Sequence, residues 1–276
     1  MAKGREINMN LPSADDLFTT QQEREQKNQE YVKEISIYEI TDFPDHPFKV
    51  KMDDKMLETI ESVRDHGVLV PALVREKPTG GYEMISGHRR KMACELAGRD
   101  KIPCIVRNLT DDEAIVVMVD SNLQREKILP SEKAFAYKMK LDAMKRQGKR
   151  TDLTSTPLGQ KSGKYSVEIL GEQVGESKSQ IQRYIRLTNL IPEILEKVDD
   201  DKIGMRPAVE LSYLSKEEQE LLYDAMESEA CTPSHDQAIQ MRNLSKEGKL
   251  NEDIIMVIMS QEKPNQVEQW KIRRVS

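Results

Sequence analysis

The segment Met84-Ile85-Ser86-Gly87-His88-Arg89-Arg90-Lys91 places two adjacent arginines directly after a glycine and a histidine. We interpret it as the end of a strand, a glycine turn and the first turn of a helix, because glycine permits a tight turn and a close backbone approach. A helix N-terminus carries free N–H groups and the positive end of the helix dipole. Arginines in that place predict an anionic ligand that offsets the repulsion, and we expect a polyphosphate from a nucleotide or from DNA. The alternative is a basic helix start that is only solvated.

The composition limits the class of protein. The chain has 276 residues, of which 37% are hydrophobic and 33% are charged, and this balance is typical of a helical protein with several domains. The net charge of −6 means that any binding of nucleic acid must come from local basic patches. Three cysteines without paired spacing predict neither a disulfide framework nor a zinc site, and they favour a cytoplasmic protein. The most apolar segment is too short to span a membrane.

The first part of the chain predicts a small α/β domain. Residues 1–30 are polar and are predicted to form a disordered tail. Residues 31–125 alternate between strand and helix patterns. The predicted strands are Glu34–Ile40, Val68–Val74 with an interruption at Pro71, Tyr82–Ile85 and Ile102–Val106. The predicted helices are Asp53–His66, a helix after Gly87 that runs to Ala97, and one that begins at Thr110 and runs through Val119.

The second part is predicted to be helical, so the fold class is α+β. Residues 126–230 begin with a long helix, Ser131–Gln147, for which Phe135, Met139, Leu141 and Met144 are the predicted core residues. A mobile basic loop is predicted over Lys145–Lys164. Residues 231–276 add two helices, Thr232–Glu247 and Asn251–Ser260, and this short helical region is expected to contribute to a dimer.

Two short helices around a glycine predict a DNA-binding helix-turn-helix. The first is Val167–Val174 and ends at Gly175, and the second is Lys178–Leu187 with Ser177 as its cap. Gly171 stands where close contact between the two helices requires a small residue.

The second of these helices contains no acidic residue and presents the side chains that recognise bases and phosphates. The predicted DNA-binding residues are Ser177, Lys178, Ser179, Gln180, Gln182, Arg183 and Arg186. The alternative is an ordinary helical hairpin whose basic face is solvated.

Four linked segments resemble those of the ParB-type partition proteins, over about residues 34–230. Gly67–Arg75 is similar to the family's G-x-x-Q-P-x-x-V-R, and Gly87–Arg90, followed by Ala93, Ala97-Gly98 and Ile102-Pro103, is similar to G-E-R-R and the residues behind it. Ser121–Arg125, followed by Leu129–Ala134, is similar to E-N-x-Q-R…L-x-P-x-E-x-A. The helix-turn-helix is the fourth. Their order and spacing together make the resemblance specific.

The family's N-terminal fold binds CTP with magnesium and uses it to close a dimer into a clamp that slides on DNA, and its helix-turn-helix binds a palindromic, centromere-like site. The resemblance implies that Arg89 and Arg90 hold phosphates and that Gly87 allows their close approach. For His88 we expect only a modest contribution, because a nearby phosphate favours the charged form of histidine. The resemblance also implies that Asn122 and Arg125 complete the nucleotide site and that Arg75 lines its base side.

The partners implied by the resemblance are double-stranded DNA, a second copy of the chain in a homodimer, and a ParA-type ATPase that contacts the tail 1–30. The implied location is the cytoplasm, on the nucleoid or on a plasmid, with no membrane contact.

The chain departs from the family pattern at several positions. The family's glutamate in G-E-R-R is His88, its glutamine before proline is Val70, and the glutamate that opens E-N-x-Q-R is Ser121. The change at Ser121 removes a hard oxygen ligand suited to magnesium. Phosphate binding by arginine survives these changes, whereas magnesium binding and even weak CTP hydrolysis do not follow from the residues present. These departures are typical of a divergent member on a plasmid or mobile element.

Two other functions remain open. The chain could be a sequence-specific transcription regulator that uses the N-terminal fold as a scaffold. It could also be a nucleotide-dependent kinase of the same fold, with Asp120 and Glu126 as candidate bases. A sulfiredoxin-like enzyme is excluded, because Cys94 lies about two turns into its predicted helix and away from the phosphate motif. No catalytic residue or metal ligand is assigned.

Overall fold

The computed structural model describes residues 32–125, 127–152 and 162–261, without the side chains of 148–152 and 162–165. The tail 1–30, Glu126, the middle of the predicted basic loop and the last residues of the C-terminal region lie outside the described residues. The fold is mixed α+β, as predicted. The described chain divides into two compact units, residues 32–43 with 51–109 and residues 44–50 with 110–261.

The first unit is built on a five-stranded sheet with the order β1-β5-β3-β4-β2. Its strands are β1 (Val32–Ser36), β2 (Ile40–Asp42), β3 (Ala72–Glu76), β4 (Tyr82–Ser86) and β5 (Lys101–Val106). The β1–β5 and β3–β4 pairs are antiparallel, while β3–β5 and β2–β4 are parallel. Its helices are α1 (Asp54–His66) and α2 (His88–Leu96).

The prediction of one continuous strand over Glu34–Ile40 is wrong. A short 3-10 turn, Ile37–Glu39, separates β1 from β2. The reason is topological: β1 pairs with β5 at one edge of the sheet, while β2 pairs with β4 at the other edge. The chain must therefore leave the first edge and cross the sheet. Ile35, Ile37 and Ile40 are all buried along this path, which explains why the segment looks like a strand.

The predicted strand Val68–Val74 is shorter than expected. Strand β3 begins at Ala72, directly after Pro71, and the preceding Leu69 and Val70 are exposed. Proline has no N–H for a ladder, so a strand that begins after it agrees with its chemistry. The predicted stop of α1 is confirmed, because Gly67 adopts φ +75 after His66.

The second unit is helical in its described part. Its helices are α3 (Asp111–Leu123), α4 (Pro130–Asp152), α5 (Ser162–Val174), α6 (Lys178–Leu187), α7 (Pro192–Asp199), α8 (Met205–Leu211), α9 (Lys216–Ser228), α10 (His235–Lys246) and α11 (Glu252–Met259). Helix α3 starts with a Thr110–Glu113 capping box and groups with this unit by its packing on α4. The predicted domain limits at residues 125 and 230 stay predictions.

Two expectations about α4 are wrong. The helix continues to Asp152, and α5 already begins at Ser162, so both ends of the predicted basic loop are helical. Phe135 is exposed, and the buried stripe of α4 runs through Ala134, Tyr137 and Leu141. The neighbours across α4 decide which stripe is inward, and these neighbours come from distant parts of the chain.

Two apolar clusters form the core of the second unit. One joins α4, α5 and α6 through Tyr137, Leu141, Val167, Leu170 and Ile181. The other is formed mainly by α6 to α11 and includes Leu187, Ile194, Leu222 and Ile255. Helix α6 contributes to both clusters, so its inner face is fixed. Among the described residues, no helix has both the length and the apolar character needed to cross a membrane.

Candidate anion and nucleic-acid sites

Gly87 forms the turn between β4 and α2. It adopts φ +115, a conformation that favours glycine, and it occupies the N-cap position without a side-chain cap for the helix. A Cβ at this position would lie 2.8 Å from the Cβ of Ala72 and 3.5 Å from the guanidinium carbon of Arg90. The predicted glycine turn is therefore confirmed, while the approach of phosphates to Gly87 stays a prediction. The first N–H groups of α2 carry no side-chain cap.

Arg89 makes a bidentate ion pair with Asp53. Its Nη2 donates to Asp53 Oδ1 at 2.7 Å, and its Nη1 donates to Oδ2 at 3.3 Å. Asp53 also caps α1 by accepting from the backbone N–H of Met56 at 2.8 Å. The hydrogen bond from Arg89 is the main cause that lowers the pKa of the Asp53 carboxyl. The carboxylate thus occupies the place that an anionic ligand of Arg89 would take.

Arg90 is directed to the loop before β3. Its Nη1 donates to the carbonyl oxygens of Val70 at 2.7 Å and Pro71 at 2.6 Å. Burial lowers the pKa of the Arg90 guanidinium, but an arginine remains charged in a protein. Its described partners are therefore neutral carbonyl dipoles, which a phosphate could replace. His88, between the turn and the arginines, is buried.

Arg75 has partners inside the first unit. It pairs across the β3–β4 ladder with Glu83, with 2.6 Å between Nε and Oε2. Its Nη1 donates to the carbonyl of Leu109 at 3.3 Å, and its guanidinium carbon lies 5.5 Å from the centroid of the Phe43 ring. These contacts hold the guanidinium group within the first unit, so Arg75 has a structural role that does not require a nucleotide.

Asn122 and Arg125 belong to the second unit. Asn122 is buried, and its amide donates to the carbonyl of Met118 at 2.8 Å, one turn earlier in α3. Ser121 donates to the same carbonyl at 2.9 Å. The guanidinium carbon of Arg125 lies 5.5 Å from the centroid of the Phe48 ring. The predicted nucleotide-binding residues thus divide into three sets: the segment Gly87–Arg90 at the start of α2, Arg75 on β3, and the pair Asn122 and Arg125 at the end of α3 in the second unit.

The two thiols of the first unit are unsuited to nucleophilic chemistry. Cys94 and Cys104 are both fully buried. Burial raises the pKa of Cys94, and burial raises the pKa of Cys104 to about 12. Because the thiolate is the nucleophile, these cysteines stay inactive near neutral pH. This supports the exclusion of sulfiredoxin-like chemistry.

The structure gives little support to the other candidate chemistries among the described residues. No group of three or more His, Cys, Asp or Glu side chains in the described part of the chain could hold a metal ion. Asp120, a candidate base for a kinase, pairs with Lys140, which is almost fully buried in α4. Glu126 lies outside the described residues.

Helices α5 and α6 have the geometry of a helix-turn-helix. Gly175 adopts φ +68 after α5, and the side chain of Ser177 accepts from the N–H of Gln180 at 3.2 Å to cap α6. A Cβ at Gly171 would lie 2.7 Å from the carbonyl oxygen of Glu176. The predicted turn, cap and small residue are all present, so this region is correctly predicted at the level of local structure.

The turn is also attached to α4. Lys133 of α4 donates to Glu176 Oε1 at 2.7 Å, and its ammonium lies 5.1 Å from the ring centroid of Tyr184 in α6. Burial opposes the charge of Lys133, but the ion pair with Glu176 outweighs it and raises the pKa of the ammonium group. Tyr137 meets Tyr184 edge to face, with 5.7 Å between the ring centroids. Sequence patterns did not identify this anchor, because its members lie far apart in the chain.

The predicted DNA-binding residues of α6 fall into two groups. Ser177, Ser179, Gln182 and Arg183 are exposed, although the side chain of Ser177 is used as the cap, while Gln180 is partly buried. Two others have side-chain partners in the protein: Lys178 lies 3.4 Å from Glu168, and Arg186 donates to Ser212. The outward face of α6 is therefore narrower than predicted and centres on Ser179, Gln182 and Arg183.

Comparison with known protein families finds two matches that together cover most of the chain. Residues 21–123 match the ParB N-terminal domain, and residues 159–243 match the ParB HTH domain.

Several characterised proteins are similar in sequence. The "Nucleoid occlusion protein" of Listeria monocytogenes is 34% identical over 190 residues, which cover 69% of this chain and 60% of that protein. The "Stage 0 sporulation protein J" of Bacillus subtilis is 34% identical over 178 residues, with 64% of this chain and 56% of that protein covered. The "Chromosome-partitioning protein Spo0J" of Thermus thermophilus is 33% identical over 177 residues, with 64% and 58% covered. The aligned region thus spans less than two thirds of each relative.

A solved structure shows a weaker likeness. It is the C-terminally truncated chromosome-partitioning protein ParB from Caulobacter crescentus in complex with the centromeric parS site. It is 20% identical, covers 78% of this chain and 99% of its own, and superposes with a TM-score of 0.41.

Proposed function

Because this chain belongs to the ParB-type partition protein family, we propose that it binds a specific site on double-stranded DNA through α6. The observation that carries the proposal is the outward face of α6, with Ser179, Gln182 and Arg183 exposed on a helix whose inner face is fixed in the core. Glutamine can make paired hydrogen bonds to adenine, and arginine to guanine, in the major groove. Helix α6 contains no acidic residue that would repel DNA.

A binding experiment with the full chain tests this role of α6. A cognate duplex is first selected from random duplexes with the wild-type protein, and its affinity is measured by fluorescence anisotropy beside a scrambled duplex. Replacement of Gln182 or Arg183 by Ala should weaken cognate binding by about 1–3 kcal/mol if each residue contacts a base. Gln240→Ala and Lys249→Ala, at exposed positions in α10 and after its end, are the controls. Unchanged cognate affinity in both α6 variants would reject the proposal.

We also propose that Arg89 and Arg90 hold the phosphates of a nucleotide at the N-terminus of α2. The family resemblance makes CTP the expected nucleotide. A triphosphate carries several negative charges, so it competes well against the single carboxylate of Asp53 and the neutral carbonyls of Val70 and Pro71. Nucleotide binding in this way would release the loop that contains the exposed Leu69 and Val70. The roles of Arg75, Asn122 and Arg125 in this site stay predictions.

Titration calorimetry with CTP, ATP and GTP, each with and without magnesium, tests the nucleotide site. The expected result is selective binding of CTP that Arg90→Ala abolishes and that Lys101→Ala, an exposed lysine on β5, leaves unchanged. Because Ser121 replaces the family's glutamate and donates to its own helix, we expect a weak dependence on magnesium and little hydrolysis. Binding that Arg90→Ala does not weaken would reject this site.

One observation favours a second function, a transcription regulator in which the first unit is a scaffold. Arg89 and Arg90 already have protein partners, so they can stabilise the first unit without any ligand. In that case titration calorimetry detects no nucleotide binding, while the Gln182 and Arg183 variants still bind the cognate duplex more weakly than the wild type. The predicted homodimer and the contact of residues 1–30 with a ParA-type ATPase also stay predictions.

A further inference from the structure

Arg186 in the last turn of α6 faces a backbone carbonyl, a hydroxyl and an aromatic ring. Its Nε donates to Ser212 Oγ at 3.2 Å, and its Nη2 donates to the carbonyl of Ser212 at 3.1 Å. Its guanidinium carbon lies 3.8 Å from the ring centroid of Tyr213. Ser212 and Tyr213 belong to the connection between α8 and α9, so this arginine ties the end of α6 to another part of the second unit.

A second arginine contacts the same ring. The guanidinium carbon of Arg242, in α10, lies 3.9 Å from the ring centroid of Tyr213. Two guanidinium groups this close to one centroid would overlap on a single face, so they must lie on opposite faces of the ring. Glu210 accepts from Arg242 Nη1 at 2.6 Å and raises the pKa of that arginine. Its carboxylate offsets part of the repulsion between the two cations.

The ring of Tyr213 makes these contacts, and its hydroxyl forms no hydrogen bond among the described residues. A cation over an aromatic face is a favourable contact, and here it occurs on both faces. The stack of Arg186, Tyr213 and Arg242 therefore connects α6, the α8–α9 connection and α10. Arg186 lies one turn beyond Gln182 on the same side of α6, so the stack fixes the helix end next to the exposed residues.

We infer that Tyr213 is a positioning residue for DNA recognition, which holds the C-terminal end of α6 through Arg186. This inference rests on the proposed function of α6 and assigns different roles to different residues of the helix. Ser179, Gln182 and Arg183 contact DNA, whereas Arg186 anchors the helix to the protein. Base recognition needs paired hydrogen bonds of defined geometry, so a helix end that can tilt loses specific contacts before it loses general attraction to phosphates.

The test compares Tyr213→Phe, which keeps the ring, with Tyr213→Leu, which keeps apolar bulk but has no aromatic faces. Affinities of the full chain for the selected duplex and for the scrambled duplex are measured, together with the thermal midpoint of unfolding. We expect Tyr213→Leu to lower the ratio of the two affinities about tenfold, with little change in binding of the scrambled duplex. Tyr213→Phe should retain the wild-type ratio, because both aromatic faces remain and the hydroxyl donates no hydrogen bond to any residue that the structure describes.

The role of Arg186 supplies a second measurement. If Arg186 anchors α6, then Arg186→Ala lowers the affinity ratio and leaves the salt dependence of binding to the scrambled duplex unchanged. If Arg186 instead contacts a phosphate, the slope of log affinity against log salt falls by about one for both duplexes, and the inference is overturned.

Other outcomes are also decisive. An unchanged ratio in Tyr213→Leu, or an equal loss in Tyr213→Phe, overturns the inference. If Tyr213→Leu does not fold, Arg242→Gln removes one cation from the stack and should lower the ratio to a smaller extent; no change would reject the role of the stack. Gln182→Ala and Arg183→Ala are measured in parallel. If neither of these two variants weakens cognate binding, the proposed function of α6 fails. If they weaken it while Tyr213→Leu keeps the wild-type affinity ratio, only the inference about Tyr213 is rejected.

Discussion

Gly87 is constrained both by its backbone conformation and by the space around its Cα atom, and substitutions can separate the two effects. The residue adopts φ +115, and an added Cβ would lie 2.8 Å from the Cβ of Ala72. Gly98 also has a positive φ, +72, but an added Cβ there meets nothing within 4 Å. Backbone strain alone costs about 1–2 kcal/mol per residue in the left-handed region, and overpacking costs about 1–3 kcal/mol more.

We therefore predict that Gly87→Ala lowers the free energy of unfolding by about 2–5 kcal/mol, and Gly98→Ala by only about 1–2 kcal/mol. Urea denaturation of both variants beside the wild type provides the measurement. Equal losses would mean that β3 moves aside at Ala72 and that the close approach at the turn is not a constraint.

The charge on Asp53 should contribute to stability in a defined range of pH. The hydrogen bond from Arg89 lowers the pKa of this carboxyl from 3.8, so its stabilising effect is present above pH 3.8 and is lost as the pH falls through the lower folded value. Asp53→Asn keeps a good N-cap for α1 but removes the charge. We predict that this variant is less stable than the wild type at pH 7 and that the difference disappears at low pH.

Denaturant titrations of the wild type and Asp53→Asn at several pH values from 7 down to 2 measure this difference. Asp54→Asn, at the neighbouring position in the first turn of α1, is the control for a general charge effect on the helix. A difference between wild type and Asp53→Asn that stays constant over this range would show that Arg89 does not stabilise the ionised carboxylate.

At the scale of an element, the turn of the helix-turn-helix depends on α4. Lys133 donates to Glu176 at 2.7 Å, and the side chains of both residues are mostly buried. Removal of one member leaves a buried charged group without its partner, which costs about 1–3 kcal/mol. We predict that Lys133→Met destabilises the protein by this amount.

The double variant Lys133→Met with Glu176→Gln should regain part of the loss, because a neutral amide replaces the uncompensated charge. Chemical denaturation of the two single variants and the double variant gives the coupling energy between the two positions. Strictly additive effects would contradict a direct ion pair. The pKa of Lys133 is raised, so the stabilisation should persist through neutral pH and disappear only as the pH rises above 10.5 through the raised folded value.

The sequence predicted those features of the fold that depend only on neighbouring residues, such as helix caps and turns. Ser177 caps α6 and Thr110 caps α3, each at its predicted helix start, and Gly171 lies where two helices touch. The break between β1 and β2 was missed, because it depends on pairing with β5 at one edge and β4 at the other.

The same limit applies to the candidate sites. The turn at Gly87 and the helix-turn-helix could be recognised from adjacent residues. The partners of the arginines could not be predicted, since Asp53 lies 36 positions before Arg89 and Ser212 lies 26 positions after Arg186. A basic residue in a motif is therefore only a candidate ligand contact until its neighbours in space are known. In this chain those neighbours narrow the exposed face of α6.

At the scale of the whole molecule, the charge distribution favours a local interaction with DNA. The chain has a net charge of −6, so its overall field repels a polyanion. If the proposed function is correct, the attraction comes from the local basic side chains of α6. Non-specific binding should consequently be weak and strongly dependent on salt, and specific contacts should dominate the affinity for the selected duplex.

The two proposed binding functions make a further prediction together. If nucleotide binding at Arg89 and Arg90 changes the affinity for DNA by a given factor, then DNA must change the affinity for the nucleotide by the same factor, because equilibrium coupling is reciprocal. We predict a coupling of about 5- to 150-fold, the usual range for allosteric proteins. The dissociation constant of the selected duplex is measured with and without a saturating non-hydrolysable CTP analogue. That of the analogue is then measured with and without saturating duplex.

Arg90→Ala is the control, since it should remove the nucleotide effect and leave the affinity for DNA without nucleotide unchanged. Equal factors in the two directions would establish a binding equilibrium shared by the two ligands. A factor of one in both directions would mean that α6 and the N-terminus of α2 act independently. Unequal factors would reject equilibrium coupling, because a non-hydrolysable ligand leaves no source of free energy that could make the two directions differ.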